Sequence, residues 1–272
     1  MAIPRGAGRY RPRAIRANVS AVQLRPDRVV PWRPDGLTVD PWTVLRLARY
    51  RRRDDVPPPV WDATRAMAAR AGELATPAAG LRLVHIGTAT DDRVSLTEGP
   101  RFSGHAVARH LTGARRAIAF ILTLGPALEA EVATLGQRQD LLEAYLLDLA
   151  GWAGIETAVR GLRRDLVAAL PRARVSHRLG PGHRDWPLTE QHELVALLET
   201  DAAPVRLSEH GVLIPFKSIS GLFALRDSDR AIGGGIAGPA DQSPASPPDP
   251  TAPSREDASD RSVSARREPA PE

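Results

Sequence analysis

Six residues in the second half of the chain, Arg178-Leu179-Gly180-Pro181-Gly182-His183, combine the parts needed to hold a small anionic group. A guanidinium fixed in place grips a carboxylate through two parallel hydrogen bonds. Two glycines and a proline beside it let the backbone come close to a ligand and aim N–H groups at it. The same residue types also fit a plainer reading, a tight strand-to-helix connection that carries a solvated arginine. Glu156 is the second candidate. It lies on the longest helical stretch of the sequence, on the stripe formed by Leu142, Tyr145, Leu146, Leu149, Trp152, Ala153, Val159 and Leu162, and so should face inward. A carboxylate there either pairs with an arginine such as Arg178 or meets a cationic ligand group. His183 closes the turn with a ring whose charge changes near neutral pH.

Other residues invite chemistry less strongly. Lys217 is the single lysine in a chain rich in arginine, and a lysine at a strand end is ordinarily solvated. Ser218 and Ser220 share one face of a strand, where they line a pocket or satisfy backbone at a sheet edge. Glu209 flanks the same hairpin. His105 and His110 are spaced wrongly for two ligands on one helix face, and His192-Glu193 lacks the second histidine of a zinc-protease pattern. With no cysteine, the chain builds no disulfide, thiolate zinc site or cysteine nucleophile. A phosphate-binding P-loop, a dinucleotide fingerprint and a nucleophile elbow are all absent from the sequence.

Taken as a whole, residues 178–221 resemble the activation domain of cobalamin-dependent methionine synthase. That family carries an Arg-x-x-x-Gly-Tyr turn, a helix, a Leu-Thr-Glu-Ser-like strand start and a Ser-x-Ser-Gly strand. The counterparts here are Arg178 to His183 as written above, then Leu207-Ser208-Glu209-His210, then Ser218-Ile219-Ser220-Gly221. Thr123-Leu124-Gly125-Pro126 is similar to a strand-to-helix junction of the family. Asp185-Trp186-Pro187-Leu188 looks more like the small free-standing relatives than the domain of the full-length enzyme. The resemblance extends over residues 40–228 and implies an S-adenosylmethionine-binding module that supports reductive methylation of a corrinoid.

Carried over position by position, the resemblance implies that Arg178, Gly182, His183, Glu156 and Asp185 bind the cofactor. His183 stands where the family has tyrosine, and Asp185 where the full-length enzyme binds through the backbone of a small residue. The cobalamin itself would be carried by a partner, a corrinoid-bearing methyltransferase subunit. His177-Arg178-Leu179-Gly180 is similar to the end of the Asp-x-His-x-x-Gly signature that ligates cobalt, but Val175 occupies the place of the acid. No flavin or iron–sulfur pattern is legible, so the electron would come from a flavodoxin- or ferredoxin-type protein. Two rivals compete with this reading: a scaffold of the same fold that has lost the ligand, and a nucleic-acid-associated protein using its basic arm.

The elements that must position these residues follow from periodicity and punctuation. The spacing predicts helices over 40–53, where Asp40-Pro41 reads as N-cap and first turn, and over 60–74, 103–113 (capped by Ser103), 139–170 and 189–198. Strands are expected over 81–87, with a short partner at 93–96, and over 117–124, 172–178 and 205–225. Strands and helices do not alternate strictly. The expected class is therefore α+β, a single domain with a largely antiparallel sheet at 39–230. Residues 1–38 read as an extended or disordered arm, and 231–272 as a disordered Pro, Ser and Asp-rich tail.

The net charge of +5 is uneven, since arginines crowd the first 53 residues against only Asp27, Asp35 and Asp40. Such an arm can attract phosphates. Arginine, alanine and proline are abundant throughout, however, so composition alone accounts for most of it. No apolar run reaches the roughly 18 residues a membrane span needs, and no secretory signal opens the chain. The expected setting is the cytoplasm.

Overall fold

Residues 117–124 (AIAFILTL) carry no charge, so a strand made from them must be covered on both faces. In the computed structural model, which describes residues 24–198 and 202–227, this strand lies inside a seven-stranded sheet. In chain order the elements begin with β1 (Val30–Trp32), α1 (Pro41–Leu47), α2 (Pro58–Leu74), β2 (Ala78–Ala89), β3 (Arg93–Leu96) and β4 (Arg101–Ser103). They continue with α3 (His105–Leu111), β5 (Arg116–Thr123), α4 (Ala127–Gln137), α5 (Leu141–Ala169) and β6 (Ala173–Leu179). After a 3₁₀ turn come α6 (Gln191–Ala196), β7 (Arg206–Leu207), β8 (Leu213–Ile214) and β9 (Ser218–Asp227).

The sheet order is β4-β3-β2-β5-β9-β6, with β1 on the outer side of β2. Every pairing in it is antiparallel. The architecture is thus α+β with an antiparallel sheet, as the element order predicts. Ile118, Phe120 and Leu122 of β5 join the core made with α1, α2, α4 and α5. Ala117, Ala119 and Ile121 point to the other face, under α3, α6 and Trp186. Each large side chain buried there is worth about 1.5–3 kcal/mol relative to exposure. Phe120 and Phe223 stack across the β5–β9 pair with centroids 4.7 Å apart.

Four expectations are corrected. The second half of the presumed arm belongs to the domain: β1 pairs with β2, Trp32 is buried, and its Nε1–H donates to Asp165 at 3.0 Å. The rest of that arm and the tail lie outside the described residues. Helix α1 is capped by Asp40 as expected, through Trp42 and Thr43 N–H, but ends at Leu47 because Arg49 turns to a positive φ of 71°. Ser103 does not cap α3; it ends β4 and donates to Glu190. The cap comes instead from Asp185, eighty residues away in sequence.

The fourth correction concerns α5. Leu146, Ala153, Val159 and Leu162 are buried as expected, but the buried face is shifted and extended through Leu147, Ala150, Gly151, Gly154, Ile155 and Ala158. Small residues decide this, because they let α5 lie close to the strands and to Leu37 and Val39. A Cβ on Gly154 would already sit 3.0 Å from Leu124 and 3.1 Å from Leu37. Leu142, Tyr145 and Trp152, expected inside, are left on the surface. Among the described residues no helix is long and apolar enough to cross a membrane.

Candidate functional site

The register of β6 against β9 breaks between Val175 and Arg178. A bulge bends a strand and re-aims the side chains beyond it. Past this one, Arg178 reaches α5, and its Nη2 donates to Glu156 Oε1 at 2.5 Å. The two residues that sequence reasoning placed beside each other therefore meet, as an ion pair that joins β6 to the long helix. Arg178 is mostly covered, whereas the Glu156 carboxylate is half exposed.

Arg178 lines a groove of about 410 Å³. Its rim is the glycine and proline turn, with His183 exposed at the end. Trp152 of α5 forms one wall, and Leu188, Val212 and Phe216 form others. Ser218, Ser220 and Gln191 form its buried polar lining. The hydroxyls there are committed inside the protein: Ser218 Oγ donates to Thr123 Oγ1 at 2.9 Å and Ser220 Oγ to Gln191 Oε1 at 3.3 Å. Gln191 in turn donates to Gly211 O at 2.6 Å.

The turn itself differs from expectation. Gly182, with φ of +80°, donates its N–H to Trp186 O at 2.8 Å, and His183 donates to Gly180 O at 3.2 Å. Both N–H groups are thus consumed in closing the loop rather than aimed outward. Recognition in this groove falls to side chains, with Arg178 foremost. Asp185 is not brought to the groove. One carboxylate oxygen accepts from His105 N at 2.7 Å and the other from Ala106 N at 2.9 Å. These hydrogen bonds, the one from Ala106 foremost, hold its pKa below the ordinary aspartate value. Its role here is to cap α3 and pin the turn to that helix.

Lys217 also departs from expectation. It is only 4% exposed, with its stem laid across Gly151. Its Nζ donates to Asp148 at 2.7 Å and sits 4.4 Å from the centre of the Trp152 ring. The lysine therefore holds Trp152 against the groove by a cation–π contact. Glu209 is solvated beside His210 and does not line the groove.

Sequence reasoning missed Trp152 as a wall, Gln191 as buried polar lining, and Asp148 as the lysine's partner. A signal for the last was present: Gly151 on a helix, flanked by Asp148 and Trp152, leaves room for one long cation. Nothing local marks Gln191. Several large hydrophobics are left exposed along α5 or at the groove. Leu142, Tyr145 (52% exposed) and Trp152 (46%) crest α5, and Phe216 (60%) and Leu188 border the groove. Among the described residues no group of His, Cys, Asp and Glu could hold a metal ion.

No protein-family model matches the chain. No curated protein matches it either. Among solved structures it is similar to the crystal structure of the MetH reactivation domain bound to AdoHcy. The two are 14% identical, with a TM-score of 0.48, over 75% of this chain and 82% of that one. The likeness is one of fold.

Proposed function

We propose that this protein is an S-adenosylmethionine-binding module that supports reductive reactivation of a corrinoid held by a partner methyltransferase, in the cytoplasm. The observation that carries the reading is the Arg178–Glu156 pair beside the groove. An amino acid end group carries a carboxylate and an ammonium a few ångströms apart. Arg178 and Glu156 present the two opposite charges side by side, and each can exchange its partner for the ligand's group without leaving a charge unpaired. A groove of 410 Å³ falls in the roughly 300–1,000 Å³ range of small-molecule sites.

The residues divide the work. Arg178 grips the carboxylate, Glu156 takes the ammonium, and Trp152, fixed by Lys217 and Asp148, gives an aromatic wall for a flat or cationic part of the ligand. His183 covers the rim. Gly182 sets the loop geometry, and Asp185 fixes that loop to α3. S-adenosylmethionine would supply the methyl group, and the chain's own contribution is to position it. The exposed crest of α5 supports docking on the corrinoid-bearing subunit, since Tyr, Trp and Phe are enriched at interfaces. A flavodoxin- or ferredoxin-type donor would bring the electron.

The test is the melting temperature of the full chain with S-adenosylmethionine, S-adenosylhomocysteine or cobalamin added. A ligand held only by the folded state raises it. Both adenosyl ligands should raise it and free cobalamin should not. No rise with either adenosyl ligand would leave a scaffold that has lost its ligand.

A further inference from the structure

A second cavity, of about 730 Å³, shares no lining residue with the groove. Six of its nine lining residues are polar, namely His110, Arg163, Arg174, Ser176, His177 and Arg226, and none is acidic. The bulge of β6 creates it. Where the ladder is interrupted, the freed backbone groups take side-chain partners. Arg163 donates from Nε to Ser176 O and from Nη2 to Val175 O, both at 2.7 Å. Ser176 Oγ accepts from Ala224 N at 2.8 Å, and His110 Nε2 lies 3.2 Å from the same oxygen. Arg226 donates from Nη2 to His110 O at 2.7 Å and from Nε to Thr112 O at 3.2 Å.

Two guanidiniums are thereby fixed by neutral carbonyls, which orient them but leave them without an acidic partner among the described residues and with Nη1 of each unused by these bonds. Arg174 adds a third from the exposed side of β6. The nearby acids are engaged elsewhere: Asp227 with Arg116 at 3.5 Å, and Asp165 with Trp32 and Arg164. Three cations facing one concavity repel each other unless an anion joins them.

We infer that this cavity binds a small phosphate-bearing molecule, with Arg163, Arg174 and Arg226 as its cationic clamp. The chemistry favours phosphate. Planar, preorganised guanidiniums match its oxygens bidentately, and a charge near −2 answers three cations better than a carboxylate does. The volume admits an organic phosphomonoester as well as orthophosphate. A nucleic acid strand fits less well, because the lining has no Phe, Tyr or Trp on which a base would stack.

The experiment is a calorimetric titration of the full chain, at constant ionic strength, with orthophosphate, glycerol 3-phosphate and a single-stranded oligonucleotide. Arg174→Gln is the main variant, because that side chain holds no backbone group; Arg226→Gln is the second. Saturable binding of orthophosphate or of glycerol 3-phosphate, weakened at least tenfold by Arg174→Gln, supports the site and tells the free ion from the ester. Absence of binding to both up to millimolar concentration overturns it. So does equal binding by the variants, or binding of the oligonucleotide alone. The S-adenosylmethionine melting shift should be unchanged in Arg174→Gln, so the two readings fail independently.

Discussion

Replacing Gly151 by alanine pits helix propensity against the buried lysine. Alanine is favoured over glycine in a helix interior by about 1 kcal/mol, so an otherwise free Gly151→Ala would stabilise the protein. Here a Cβ would fall 2.7 Å from Lys217 Cε, 3.1 Å from Cδ and 3.3 Å from Cγ. The lysine stem must move, and with it Nζ leaves Asp148 and the Trp152 ring. Lys217 is nearly fully buried while Asp148 is half exposed, so the loss lies between that of a surface pair and a buried one, at about 2 kcal/mol. The expected net effect of Gly151→Ala is therefore a destabilisation of about 1 kcal/mol, against the propensity scale. In a Lys217→Ala background, with the stem gone, the same change should stabilise by about 1 kcal/mol. The cycle would then show a coupling of about 2 kcal/mol, well above the 0.3–0.5 kcal/mol within which independent sites add. Urea unfolding with linear extrapolation measures all four proteins. If Gly151→Ala stabilises equally in both backgrounds, the packing of Lys217 over α5 is refuted.

Two further outcomes follow from the same geometry. Asp185→Ala should lower the melting temperature at neutral pH by uncapping α3. Its pKa is depressed in the folded state, so the stability it gives is present above the unfolded aspartate value and is lost as pH falls through the folded one. The wild-type and variant melts should converge in acid. His110 shifts the same way for a different reason: burial pushes its pKa from 6.5 to about 4. Between these values the unfolded chain takes up a proton that the folded one refuses, so stability should fall by about 3 kcal/mol as pH drops from 6.5 to 4. His110→Asn should flatten that part of the curve in pH-dependent urea unfolding.

The fold was legible wherever a local rule and a tertiary demand agreed. The uncharged run at 117–124 predicts a doubly covered strand, and β5 has a neighbour on each side and a core on each face. Asp40-Pro41 predicts a helix start, and Asp40 caps it. What could not be read was settled by distant partners. Nothing near Ser103 reveals that its hydroxyl serves Glu190 while Asp185 caps the helix beside it. Val30–Trp32 looks like part of an arginine-rich arm until β2 is there to pair with it. The shifted face of α5 misled for a chemical reason. Hydrophobic periodicity assigns the largest side chains to the core, whereas close packing chose Ala150, Gly151, Gly154 and Ala158 and left Tyr145 and Trp152 outside.

Within the candidate site, the Arg178 and Glu156 side chains were foreseen together because one turn and one helix face supplied opposite charges. The consumption of the Gly182 and His183 N–H groups was not, since it depends on where Trp186 is buried.

Isothermal titration of S-adenosylmethionine into the full chain and into Arg178→Ala decides whether this guanidinium holds the ligand. One saturable site is expected in the native protein, and one at least tenfold weaker, about 1.4 kcal/mol or more, without the guanidinium. Identical affinities, or no binding by the native chain, would contradict that assignment.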